Sequence, residues 1–314
     1  MIPTDNEPKA ELHCHLDGLL CPSYIKVIQA DGFCPDLNLE ALGHFYPVED
    51  IDAWFRLGRF YHPFQQGNGE LLLEVLKLYL NDLMDQNVRY VEIMLCSFID
   101  LEDERLELLL QQYRHIANDM DGIEVGFLWA TGRDQFEKRA DRVRWLWRKG
   151  YIDGIALAGD ENACTVKNFR DIFQDFEREN IPVEIHAGEW CGPDSIWDAL
   201  EYGHPRRLGH ALSLFDDPAL ARYLLEKNIH VEFCPTSNLK VAGVRKINDH
   251  PIFKALDYGL NFSINTDNPG HFECTMNSEF RLINSVRPFT SGEPALIFEN
   301  SLSSSFKDPS SSST

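Results

Sequence analysis

His13 and His15 are separated by one residue in the segment KAELHCH (9–15). If that segment is a strand, both imidazoles point to one side and Cys14 to the other, so the pair can hold one ion together. A third imidazole, His186 in VEIHAGE, and a carboxylate, Asp267 in SINTD, would complete a shell of three nitrogens and one oxygen. That donor set suits Zn²⁺, one ion per chain, and leaves a position for water. Such an ion lowers the pKa of bound water from roughly 15.7 toward about 7, which makes hydrolysis of a polar carbon centre the natural chemistry. Glu189 lies three residues past His186 and could act as a general acid without touching the ion. An acid there also suits the first turn of a following helix, so its position alone leaves both readings open. His210, in RRLGHALSLF, could hold or deprotonate the attacking water.

These residues need a scaffold that gathers distant segments at one face. Eight short apolar runs are candidate strands: 9–15, 88–95, 123–131, 152–159, 181–188, 206–211, 229–235 and 260–267. Between them, stretches such as 70–86, 104–120 and 134–150 repeat apolar residues at i, i+3, i+4, the period of an amphipathic helix. From the second run onward the alternation recurs roughly every 30 residues, as repeated βα units do. The expectation is an α/β fold, a (β/α)8 TIM-type barrel with a helical insertion after the first strand. Such a barrel brings the carboxyl ends of its strands to one mouth, and His13, His15, Gly159, His186, His210, Ser237 and Asp267 all fall at or near such ends. The insertion, residues 20–69, contains the aromatic-rich run IDAWFRLGRFYHPF (51–64), which reads equally as a lid or as core packing. Residues 1–306 are expected to form a single hydrolase barrel domain, and the Ser-rich tail 307–314 to be disordered.

Composition narrows the partners. With 29 Lys and Arg against 50 Asp and Glu, the chain carries a net charge of −21 and offers no basic stripe for a phosphate backbone, so nucleic acid is not expected. No apolar run is long enough to span a membrane, and the start MIPTDNEPKAELH has no signal-peptide pattern, so a cytoplasmic protein is expected. The eight cysteines include no C-x-x-C pair, which suits reduced thiols and a metal held by N and O. Oligomeric state stays open.

KAELHCHLDG, GIALAGDE, VEIHAGEW, RLGHA, CPTSN and SINTDNPG, followed by FENSLSSSF (298–306), resemble the signatures of the adenosine deaminase family of the amidohydrolase superfamily. The resemblance runs in order from residue 9 to about 306. It implies that His13, His15, His186 and Asp267 bind one Zn²⁺, with Asp267 also among the catalytic residues. It further implies that Glu189 protonates purine N1, and that His210 assists deprotonation of the water and stabilises the attacking oxygen. Gly159 matches the glycine whose backbone N–H reaches purine N3, and Asp17 the acid that hydrogen-bonds the ribose. Asp17 favours a nucleoside, adenosine or deoxyadenosine, since relatives acting on bare adenine typically carry Glu there. Deamination of adenine or of a modified nucleoside such as aminofutalosine is the alternative, and a non-catalytic nucleoside-binding protein a second one.

Three positions depart from the family pattern. Asn268 replaces a second Asp facing purine N7; an Asp must be protonated to donate there, whereas Asn carries N–H donors at any pH. Ala156 stands where many members have an acid, and Met94 where many have Arg.

Overall fold

The computed structural model describes residues 4–33, 35–46, 48–65, 69–95 and 101–307. Its eight parallel strands are β1 (Lys9–His15), β2 (Val88–Leu95), β3 (Glu124–Gly132), β4 (Gly154–Ala158), β5 (Val183–Ala187), β6 (Arg207–His210), β7 (His230–Phe233) and β8 (Phe262–Ile264). They pair in sequence order from β1 to β8. A parallel bridge between Cys14 and Asp267 joins the two edges into a nearly closed barrel. Each expected strand is present. The last is shorter than expected: it ends at Ile264, and Asp267, left-handed at φ 64°, rejoins the sheet only through a single bridge to Cys14. The run at 229–235 stops at Phe233 because Pro235 opens a helix at its first turn, where a missing N–H costs nothing.

Alternate residues along the strands explain the two packing layers. Val91, Ile93 and Leu95 of β2, Phe127 and Trp129 of β3, and Ile155 and Leu157 of β4 join the main core under the helices. Met94, Leu128, Ala130 and Ala156 point the other way and form a small apolar cluster against Phe306. Both departures from the charged family pattern, Met94 and Ala156, therefore sit in one apolar cluster.

Helices Pro22–Ala30, Leu39–Gly43 and Ile51–Gln65 occupy the insertion after β1. The aromatic helix packs into the core through Leu57 and Tyr61, while Ile51, Trp54 and Phe55 line the main cavity. The last helix, Glu293–Ser304, leads Phe306 beneath the strands, where its ring lies 3.6 Å from the Arg207 guanidinium. Lys307 donates from Nζ to Val125 O at 3.1 Å, and the rest of the Ser-rich tail lies outside the described residues. No described helix is long and apolar enough to cross a membrane, and the cysteines Cys14, Cys21, Cys164, Cys191, Cys234 and Cys274 are free thiols.

Candidate active site

The barrel closure and the site are one construction. Asp267 N–H donates to His13 O at 3.0 Å and His15 N–H to Asp267 O at 2.8 Å, so the Asp267 backbone is stitched between the two histidines of β1. Asp267, His210 and Ala211 all have left-handed backbones, at φ 64°, 62° and 44°. Non-glycine residues in that region cluster where surrounding structure holds them for a task.

Asp267 Oδ1 lies 3.4 Å from His15 Nε2 and 3.6 Å from His13 Nε2, while His15 Nε2 and His186 Nε2 are 3.4 Å apart. His13 Nε2 is buried with no hydrogen-bond partner, because its ring donates from Nδ1 to Glu232 Oε2 at 2.7 Å. That leaves an orphan nitrogen aimed at the Asp267 oxygen. Glu184 lies 3.1 Å from Nδ1 of His186 in the same way. A carboxylate on the far nitrogen of a histidine is the support a metal-ligating imidazole requires, so His13, His15, His186 and Asp267 fit an ion with N and O ligands.

The electrostatics agree. Burial lowers the pKa of His15 to about 4 and that of His186 to about 3, which keeps both rings neutral and able to ligate. At His13 burial works in the same direction but is outweighed by the nearby Asp267 and Glu232 carboxylates, raising its pKa well above the usual value. Asp267 is held below the carboxylate range: burial opposes this, but His13 and His15 prevail. The acids around His13 thus favour a positive charge at this place, proton or metal.

Glu189 stands on the loop after β5, its Oε2 3.7 Å from His210 Nε2. Burial, then the negative charges of Asp267 and Glu161, push its pKa well above the ordinary value, which favours its protonated form. The loop is tied down by Glu161, whose carboxylate accepts the backbone N–H groups of Gly188 (2.7 Å), Glu189 (2.8 Å) and Trp190 (3.0 Å) and the Ser195 hydroxyl.

A cavity of about 560 Å³ opens above these groups. Every residue singled out from the sequence as catalytic, ligating or substrate-binding lines it except His13, which is fully buried beneath. Gly159 has φ 91°, and a Cβ there would press within 3.3 Å of the Arg133 and Gly132 backbone. Gly18, beside Asp17, is equally necessary: a Cβ would collide with Asn268 Oδ1 and lie 2.7 Å from its Cα. The Asp17 turn and the Asn268 turn are therefore packed backbone to backbone. No Lys or Arg is among the described residues that line the cavity.

Sequence reasoning passed over Glu161, Glu184, Glu232, Asn238 and His250. The available signal was a buried acid inside an otherwise apolar strand, as in VEIHA and HVEF; Glu161 was visible only as the last letter of GIALAGDE.

The chain matches the family model for adenosine deaminase over residues 8–313. It is 28% identical to an adenosine deaminase of Clostridium perfringens (strain 13 / Type A), covering 96% of this chain and 94% of that one. It is 27% identical to an aminodeoxyfutalosine deaminase of Streptomyces avermitilis, over 96% of this chain and 87% of the other. Among solved structures, the adenine deaminase of Arthrobacter aurescens superposes with a TM-score of 0.83 at 26% identity, covering 98% and 96% of the two chains.

Proposed function

The chain belongs to the adenosine deaminase family, metal-dependent hydrolytic deaminases, and acts on an adenine-containing substrate; on that premise we propose that the substrate is a nucleoside, adenosine or deoxyadenosine, converted to inosine or deoxyinosine and ammonia. The observation that carries the reading is Asp17, a carboxylate lining a cavity larger than a purine ring alone requires; we take it as the acceptor of a ribose hydroxyl. Among the described residues the lining has acids and no Lys or Arg, which favours an uncharged sugar over a phosphorylated one.

In this reading the ion is Zn²⁺, held by His13, His15, His186 and Asp267, and it supplies a water acidic enough to lose a proton near neutral pH. Gly159 N–H holds purine N3, and Asn268 donates to N7. Glu189 gives its proton to N1, drawing electrons away from C6. Water adds to C6, held by His210, and its proton passes to Asp267. That proton moves on to the amino nitrogen, and the C6–N6 bond breaks with its electron pair leaving on ammonia. The hydroxyl proton returns to Glu189, which restores the acid and leaves the 6-oxopurine. We place the reaction in the cytoplasm, a reading supported by the free thiols.

The test is to follow ammonia release and the ultraviolet change with adenosine, deoxyadenosine, adenine, an aminofutalosine and AMP in parallel. The largest kcat/KM for adenosine or deoxyadenosine is expected. A larger value for adenine, aminofutalosine or AMP would keep the chemistry and overturn the nucleoside assignment.

A further inference from the structure

The short helix Pro235–Lys240 presents two neighbouring side chains to the site. Ser237 Oγ donates to Asp267 Oδ2 at 2.6 Å, and Asn238, fully buried, meets His210 Nδ1 with its amide nitrogen at 3.0 Å. The direction of that second bond is fixed from both ends by backbone donors, which can only donate. Cys234 N–H donates to Asn238 Oδ1 at 3.3 Å, so this atom is the amide oxygen. On the other side, Ile252 N–H donates to His250 Nδ1 at 3.1 Å, which makes His250 Nε2 the protonated nitrogen. That nitrogen donates to Asn238 Oδ1 at 3.0 Å. The chain of bonds therefore runs one way, from Ile252 through His250 and Asn238 to His210.

We propose that Asn238, oriented by His250, fixes His210 as the Nε2–H tautomer and so makes it a hydrogen-bond donor to the attacking oxygen rather than the base that deprotonates it. The Asn238 amide N–H needs a lone pair on His210 Nδ1, so the ring proton is on Nε2, the nitrogen 3.7 Å from Glu189 Oε2. An N–H at that position cannot accept a proton, but it stabilises negative charge growing on oxygen, as a preorganised donor does in a water-excluded site. Burial keeps His250 neutral, its pKa lowered to about 3, in agreement with a single ring proton there. Asn238 and His250 touch no substrate: they are positioning residues. The inference rests on the deaminase reading for its catalytic consequence, while the tautomer itself does not.

The experiment uses zinc-loaded protein labelled with ¹⁵N-histidine and a long-range ¹H–¹⁵N correlation, the His210 peaks being assigned by their loss in His210→Gln. The wild type should show the Nε2–H pattern. In Asn238→Asp the side chain can only accept, so His210 should switch to Nδ1–H, with kcat for the best substrate falling about 100-fold and KM changing by less than about threefold. If that variant does not fold, Asn238→Ser should give mixed tautomers and a smaller fall in kcat. An Nδ1–H wild type overturns the proposal. So does a tautomer switch that leaves kcat unchanged, or a fall in kcat with the Nε2–H pattern intact. Silence on every aminopurine would instead overturn the deaminase reading, while the spectrum still decides the tautomer.

Discussion

Asn268 packs where a second carboxylate is usual in the family pattern, and the exchange changes what pH does to the site. A carboxylate donates to N7 only while protonated, whereas the amide donates throughout. Asn268→Asp should therefore introduce a limb in the kcat/KM profile, activity declining as pH rises through the new carboxyl's pKa; superimposable profiles would remove Asn268 from the purine edge. The histidine pair and Asp267 were singled out by spacing and strand-end placement, whereas the position of Glu189 alone left two readings open and its role came from the family resemblance. Asn238 and His250 were not legible, because an amide and a histidine far apart in the chain say nothing of the bonds that join them. The same holds for Glu232, whose partner His13 lies near the other end of the chain.

Elements far from the cavity hold its groups in place. Phe306 stacks on Arg207, Arg207 pairs with Glu92 and Glu232 at 2.6 Å each, and Glu232 orients His13. Phe306→Ala should cost about 2 kcal/mol of stability and weaken zinc binding about tenfold through the loosened Glu232; a zinc titration with unchanged affinity would confine Phe306 to packing. A second contact is pH-dependent. Glu279, in the helix Met276–Val286, accepts Thr236 N–H at 3.0 Å, and burial raises its pKa to about 7 against that hydrogen bond. Since the folded state prefers the protonated form, the stability this group contributes is complete below the ordinary carboxylate value and lost as pH rises through about 7. Glu279→Gln keeps the acceptor and cannot ionise, so its melting temperature relative to wild type should rise between pH 5 and pH 8, corresponding to at most about 3 kcal/mol; a constant difference would contradict the assignment. Strand and helix order was readable from periodicity. The end of β7 was not, because Pro235 overrides local apolar pattern.

At the scale of the molecule, the barrel gathers at one mouth residues spread from His13 to Asn268, with acids and no Lys or Arg among the described residues that line the cavity. Architecture was legible because a repeated βα pattern allows few arrangements, whereas substrate was less so: comparable identities link this chain to proteins named for adenosine, aminodeoxyfutalosine and adenine. The proposed mechanism turns on a proton delivered to the purine ring by Glu189, an acid outside the proposed ligand set. The most direct measurement is ammonia release from adenosine by wild type and Glu189→Gln, with zinc content determined on the same samples. The account predicts one zinc per chain in both and a loss of at least about 100-fold in kcat for the variant. Equal turnover by a Glu189→Gln protein that holds its zinc would contradict it.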